Sequence, residues 1–283
     1  MDTKLQSEKA SLLHQLHQGP KILILVNAWD AASARVIESL GYPAVATTSG
    51  GVARSLGYPD GEHIPRGEMI DWVARIVRSV RVPVTADLEA GYGRTPEAVA
   101  ETARLAIGAG AVGMNFEDSI GEDPSSLVPL SLQAEKIQAI RETADALGVQ
   151  LVLNARTDVY LTGVGEPSGR FGETVKRLNA YREAGAGCLF APGVADASTI
   201  AALVREVNGP LNVLATDATP PVAELEKMGV RRLSLGSGPS RAALAVMRRI
   251  HRELKERGTC TTFTEDVMTG AEADGLFEGR DHN

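Results

Sequence analysis

Four carboxylates fall in two short stretches of this sequence, Asp87-Leu88-Glu89 and Glu117-Asp118. Each stretch closes a run of small and apolar residues that reads as a β-strand, which puts all four at neighbouring strand ends. Carboxylates that close repel one another unless a cation lies among them. A hard divalent ion with oxygen ligands meets that demand: Mg²⁺, or Mn²⁺ in its place, keeping several waters in its shell. No His or Cys stands beside them, which disfavours zinc. Any one of these acids also fits a solvated loop or a helix cap, and Asp118 fits that role as well as it fits a metal. Asp87, Glu89 and Glu117 form the metal set. Arg156 directly follows another apolar run, where a planar donor fork suits a substrate carboxylate or phosphoryl group. An ion pair with Glu117 or Asp158 is the alternative for it. Gly50-Gly51 would let backbone amides approach an anion, although a glycine pair also marks any turn.

Something must hold these groups together, and the chain has a repeating pattern that can. Short β-rich runs occur at Ile22–Val26, Ala44–Thr47, Val82–Ala86, Val112–Phe116, Gln150–Asn154, Gly187–Ala191, Leu211–Leu214 and Arg231–Leu235. Helical spacing fills the intervals, at Ala31–Leu40, Arg66–Val80, Pro96–Ala109, Ser131–Leu147, Gly172–Ala184, Ala197–Val207 and Pro221–Met228, with Ser240–Arg257 after the last strand. Glycines at 41, 148, 185 and 229 suit left-handed helix caps. Strand and helix alternating eight times predicts an α/β fold, a (β/α)₈ TIM barrel, over residues 1–257, with 258–283 as a C-terminal extension. An open doubly wound sheet is the competitor, but no GxGxxG follows the first strand. In such a barrel, chemistry belongs at the carboxyl ends of the strands, where the acids and Arg156 fall.

Composition narrows the classes. The 283 residues are 43% hydrophobic and 23% charged, as in an ordinary globular protein, with a net charge of −7. That balance predicts no nucleic-acid and no membrane partner. Two distant cysteines, Cys188 and Cys260, form no disulfide framework, and residues 1–18 lack the layout of a signal peptide. A cytoplasmic protein is expected.

In order and combination, the motifs resemble the isocitrate lyase/phosphoenolpyruvate mutase superfamily, from about Leu25 to Arg252. Residues 26–35 (Val-Asn-Ala-Trp-Asp-Ala-Ala-Ser-Ala-Arg) look like its opening strand and helix, and Thr48-Ser49-Gly50-Gly51 with Leu56-Gly57-Tyr58-Pro59-Asp60 like its carboxylate-binding loop. Asp87-Leu88-Glu89-Ala90-Gly91-Tyr92-Gly93 resembles its metal motif, Phe116-Glu117-Asp118 its Glu-Asp pair, and Ala155-Arg156-Thr157-Asp158 its Ala-Arg-Thr-Asp segment. The resemblance implies that Asp87 contacts Mg²⁺ directly while Glu89 and Glu117 hold it largely through water. It implies that Thr48, Ser49 and Gly50 bind the carboxylate of a 2-oxo acid, that Asp60 lines the site, and that Arg156 grips the far anionic end. Asp60, Glu117 and Arg156 are then the catalytic set, around a pyruvate-like enolate chelated by the metal. It further implies a homodimer or homotetramer, the last helix (Ser240–Arg257) and tail swapping onto a neighbouring barrel.

Three departures shape the functional reading. The lyases carry a Cys and a His in the loop after strand 4, whereas Ser119–Pro129 here has neither. Cys188 lies within the sixth strand and reads as a core residue. Ala191-Pro192-Gly193 stands where several members place Glu or His, and Ala46 replaces the strand-2 tryptophan of the mutases. The expectation is a Mg²⁺-dependent carbon–carbon lyase, by decarboxylation or retro-aldol cleavage, for a small 2-oxo or 2-hydroxy di- or tricarboxylic acid. Tyr58, Glu122 and Asp123 are candidates for its proton donor, and Trp29, Tyr160 and Pro192 shape the mouth. The alternatives are a P–C bond enzyme (phosphonopyruvate hydrolase or phosphoenolpyruvate mutase) and a 2-oxo acid-binding barrel without turnover.

Overall fold

Strands buried on both faces lose the polar alternation of a solvent-facing sheet, and the short apolar runs have that character. All residues of β3 (Val45–Thr47) and β4 (Val84–Asp87) are buried. The computed structural model, which describes residues 3–120, 123–264 and 267–278, sets these runs into one parallel sheet. Its other members are β1 (Leu23–Leu25), β2 (Asn27–Ala28), β5 (Gly113–Glu117), β8 (Val152–Arg156), β9 (Cys188–Phe190), β10 (Leu211–Leu214) and β11 (Arg232–Ser234). The strand order is β1-β11-β10-β9-β8-β5-β4-β3-β2. β1 pairs with β11 and β2 with β3, so the first barrel strand closes the ring as two halves. The break comes at Val26, the end of the strand expected over Ile22–Val26, and β2 lies beyond it. Chain continuity survives it, because the Val26 carbonyl still accepts from Ala46 N–H. The barrel expectation holds.

Helices α2 (Ala31–Ser39), α4 (Arg66–Ser79), α5 (Pro96–Gly108), α6 (Leu130–Ala146), α7 (Arg170–Glu183), α8 (Ala197–Glu206), α9 (Val222–Met228) and α10 (Gly238–Arg257) fall within two residues of expectation. The four glycines foreseen as helix ends all adopt positive φ. Three other features were not legible. A first helix, α1 (Thr3–Gln18), docks by burying Ala10 and Leu13 completely, and its Gln6 amide donates to the Ile107 and Ala111 carbonyls. The loop after β3 winds into α3 (Ser49–Ser55). β6 (Ser119–Ile120) and β7 (Asp123–Leu127) form an antiparallel hairpin where a loop was expected.

Beyond the barrel, α10 leaves Leu244, Met247 and Leu254 about half exposed. A short helix, α11 (Gly270–Gly275), follows with a Thr269/Glu272 capping box. No described helix is long and apolar enough to cross a membrane.

Leu13 reaches the barrel floor beside Gly113, where a Cβ would lie 2.9 Å from its Cδ2. Truncating a fully buried leucine loses transfer energy and leaves a cavity. Leu13→Ala should therefore cost about 2–5 kcal/mol in urea denaturation. A loss below about 0.5 kcal/mol would mean that α1 is not part of the cooperative core.

Candidate functional site

The register of the sheet brings the chemistry together. Asp87 pairs with Asn115 across β4 and β5, and Glu117 pairs with Arg156 across β5 and β8. Asp87 is 8% exposed and heavily constrained. Its Oδ2 accepts the Ser49 amide at 2.8 Å, its own N–H donates to Thr47 Oγ1 at 2.8 Å, and Asn115 Nδ2 stands 3.5 Å from Oδ1. Glu89 is buried too. Its Oε2 accepts the Glu62 amide at 2.8 Å, and the Tyr92 hydroxyl stands 3.4 Å from Oε1. Glu62 in turn accepts the Tyr92 amide at 2.6 Å. Glu62, Glu89 and Tyr92 are the non-glycine residues with positive φ among the described residues. Each left-handed residue of that kind costs on the order of 1 kcal/mol, so the surrounding contacts must hold this turn in place.

Crowding shows in the titration of the acids. Burial, then Asp87, Asp60 and Glu62, push the Glu89 carboxyl up to about 8. Asp60 stands at the open rim, yet desolvation of its carboxyl and the charge of Asp87 raise it as well. Its approach depends on Gly50, where a Cβ would lie 2.4 Å from Asp60 Oδ2. Burial raises Glu117 strongly, with Asp158 and Asp87 adding and Arg156 opposing.

Arg156 is tightly braced. It contacts Glu117 Oε2 at 2.6 Å and Asp158 at 2.5 and 2.9 Å, and its guanidinium lies 6.0 Å from the Phe190 ring centre. Burial works against its charge, but the two carboxylates outweigh it and keep Arg156 protonated. The ion pair weighed as an alternative is thus present, and it holds Arg156 at the mouth between two acids.

Asp118 belongs elsewhere. Fully buried, it accepts from Tyr181 Oη at 2.6 Å, Thr157 Oγ1 at 2.7 Å, the Asp158 amide at 2.9 Å and Arg177 at 3.1 Å. It is neither a solvated acid nor a helix cap; it pins the backbone that carries Asp158, and Asp158 braces Arg156. Thr48 is the cap residue of α3 and is buried, while the Ser49 amide is already committed to Asp87. The amides of Gly50 and Gly51, in the first turn of α3, have no intrahelical acceptor by position. Tyr58 Oη reaches Glu68 Oε2 at 3.4 Å. Glu122 and the Asp123 side chain lie outside the described residues.

After Asp158 the chain makes a π-helical turn, Val159–Gly163, a form frequent at functional sites. Gly193 packs on it at φ +90°, where a Cβ would lie 2.9 Å from Leu161 N. Beside the acids, a cavity of about 480 Å³ is lined by Glu62, Tyr92, Arg94, Ser119, Leu132 and Lys136.

Glu62, Asn115 and Ser119 were not singled out from sequence, although Ser119 donates to Glu117 at 2.6 Å. Asn115 could have been found as a polar residue inside an apolar strand. Glu62, a loop acid beside Gly61, carried no signal.

The donor set suits a hard cation: it is all oxygen, rich in charge, and held by backbone amides. Among the described residues no three acids, histidines or cysteines converge tightly enough to ligate one ion together. A site of this kind fits an ion that keeps most of its waters and takes one or two carboxylates directly, as Mg²⁺ does.

Known proteins agree with this architecture. Residues 13–255 match the family model described as phosphoenolpyruvate phosphomutase, and the chain belongs to that family. It resembles the structure of a protein from Burkholderia cenocepacia assigned as a lyase/mutase, with 39% identity, 98% of both chains covered and a TM-score of 0.91. Among curated relatives it is 28% identical to the 2-methylisocitrate lyase of Halalkalibacterium halodurans, over 95% of this chain and 89% of that one. It is 27% identical to the oxaloacetate decarboxylase of Bradyrhizobium diazoefficiens, over 70% and 68%. The superfamily resemblance is thereby established.

A carboxyl raised from 4.5 to about 8 makes the folded, metal-free protein bind a proton more tightly than the unfolded chain. Its contribution to stability is complete below about pH 4.5 and is lost as pH rises through 8. The metal-free protein should therefore melt at lower temperature at pH 9 than at pH 6, and Glu89→Gln should flatten that slope. Mg²⁺ should raise the melting temperature more at pH 9, because its ligands must be ionised. Equal Mg²⁺ shifts at both pH values would argue against this acid cluster as the metal site.

Proposed function

We propose that this barrel is a Mg²⁺-dependent carbon–carbon lyase, with Mn²⁺ able to substitute, acting on a small 2-oxo or 2-hydroxy di- or tricarboxylic acid. The observation that carries this reading is the braced Arg156 beside Asp87 and Glu117, which supplies a carboxylate anchor at the edge of an acidic cluster. The names of the two curated relatives support the substrate class. Asp87 would hold the ion directly, with Glu89 and Glu117 acting largely through water. The chemistry such an ion supplies is Lewis-acid stabilisation of negative charge developing on the 2-oxo oxygen.

The chain's own groups do the rest. Thr48, Ser49 and Gly50 receive the carboxylate next to the 2-oxo group, with Asp60 lining the site beside them. Arg156 exchanges its Glu117 contact for the distal carboxylate, while Asp158 keeps the guanidinium plane fixed. Decarboxylation asks least of this site. The carbon–carbon electron pair moves toward the 2-oxo oxygen, CO₂ departs, no hydroxyl must first lose a proton, and the enolate left behind takes a proton from water on carbon. Retro-aldol cleavage needs a base for that hydroxyl, which the acids could provide, and a proton donor for the released fragment, for which the described strand ends offer no His or Cys.

A panel of oxaloacetate, 2-methylisocitrate, isocitrate, dimethylmalate and phosphonopyruvate, with and without Mg²⁺, tests the proposal. Metal-dependent release of pyruvate or glyoxylate from a carboxylic acid is expected, lost in Asp87→Ala. Arg156→Gln should lower kcat/KM at least about 10²-fold, as removal of a charge-assisted anchor does. Turnover of phosphonopyruvate alone would move the protein to P–C chemistry, and binding without turnover would leave a 2-oxo acid-binding barrel.

The same reading includes a homodimer or homotetramer in a reducing cytoplasm. It is supported by free Cys188 and Cys260 and by exposed Leu244 (49%) and Met247 (53%) on α10. Light scattering should give two or four copies, and Leu244→Asp with Met247→Asp should shift the mass toward one. A wild-type monomer would refute the assembly.

A further inference from the structure

Below the acids, the interior of the barrel is polar. Asn115 on β5, Asn154 on β8, Asn212 on β10, and Arg232 and Ser234 on β11 are all buried. Arg232, on β11, heads the largest fully buried side chains. Among the described residues no carboxylate pairs with it; it donates to Ser234 Oγ at 3.1 Å and to Asn115 Oδ1 at 3.3 Å. A buried charge without a carboxylate partner is expensive, and an apolar side chain of similar volume is often at least as stable there. Arg232 therefore has no obvious value to the fold.

Its geometry has a consequence at the mouth. A guanidinium can only donate, so the Asn115 atom that faces it is the carbonyl oxygen. Asn154 Nδ2 donates to the same oxygen at 2.8 Å. Two donors on Oδ1 fix the amide, and Nδ2 must then face Asp87 Oδ1. With the amide reversed, a carbonyl dipole would oppose the carboxylate. The strand register makes this line of contacts, since Asp87 pairs with Asn115 and Asn115 with Asn154. Arg232 and Asp87 also lie within electrostatic reach of one another.

We propose that Arg232 is a positioning residue for the metal site: through Asn115 it orients Asp87, and it lends positive charge to the floor beneath that carboxylate. The inference rests on the metal reading given above. Groups of this kind, one contact removed from a ligand, typically change metal affinity 10–100-fold when replaced.

The test is Mn²⁺ binding followed by electron paramagnetic resonance, with melting temperature recorded alongside. Arg232→Met should melt no lower than wild type and bind Mn²⁺ about 10-fold more weakly. Arg232→Lys, which keeps the charge but loses the fork, should lie between. Asn115→Ala should weaken binding similarly, and the double variant should be weaker by less than the product of the two effects, because both act on one contact. Unchanged Mn²⁺ affinity in Arg232→Met, or independent multiplication in the double variant, would overturn the role. Should the Met variant fail to fold, Arg232→Lys and Asn115→Ala decide: a folded pair with wild-type affinity refutes it. A wild type that binds no Mn²⁺ would refute the metal reading itself, and this inference with it.

Discussion

Negative charge in excess at the mouth of the barrel is the constraint on which the rest of the structure depends. Asp60, Asp87, Glu117 and Asp158 gather around Arg156, with Glu89 beside Asp87 and Asp60. At about 4 Å and an effective dielectric near 20, one pair of like charges costs roughly 4 kcal/mol. The protein does not relieve this by spreading the acids apart. It holds each one instead: Asp87 on the Ser49 amide, Glu89 on the Glu62 amide, Glu117 on Arg156 and Ser119. Holding Glu89 also keeps three non-glycine residues in left-handed backbone. Such strain survives only where surrounding structure over-determines it, and it tends to gather at functional sites.

The barrel supplies that rigidity through strand register. Because side chains alternate along a strand, Asp87 lies two residues beyond Thr85, and Glu117 two beyond Asn115, on the same face. The ladder then puts Asp87 beside Asn115 and Glu117 beside Arg156 without help from any loop. Loops refine the arrangement. Asp118 faces away from the mouth into Tyr181, Arg177 and Thr157, and so anchors the segment from which Asp158 braces Arg156.

The strands were legible because the buried runs are largely apolar and separated by helices, four of which end at a glycine with positive φ. The continuation of the first strand past Val26 was not legible, since the apolar run stops there and only pairing with β3 makes Asn27–Ala28 a strand. Helix α1 was missed for a related reason. Its buried face includes Gln6, Lys9 and His17, polar residues that no apolar stripe announces. At the site, residues in motifs were legible and residues acting through backbone amides were not. Glu62 holds Glu89 with its N–H, a group every non-proline residue has, so nothing in its side chain marks it. Asp118 showed the limit of spacing: adjacent to Glu117, it faces the opposite side of the strand.

The turn after β9 also bears on the chemistry. Gly193 looks like the loss of a polar catalytic residue when read against the superfamily pattern. In the structure it is a backbone requirement, because the π turn at Tyr160-Leu161 passes within 3 Å of where its Cβ would be. A side chain there would push aside the segment that follows Asp158, and with it the brace on Arg156. The segment that follows Asp158 is therefore held by a close main-chain contact between Gly193 and the π turn. Under the proposed function, a position with no room for Glu or His fits loss of CO₂, whose leaving group needs no proton. Retro-aldol cleavage instead releases a carbanion stabilised by its carboxylate, which must be protonated, and Gly193 supplies no donor for it.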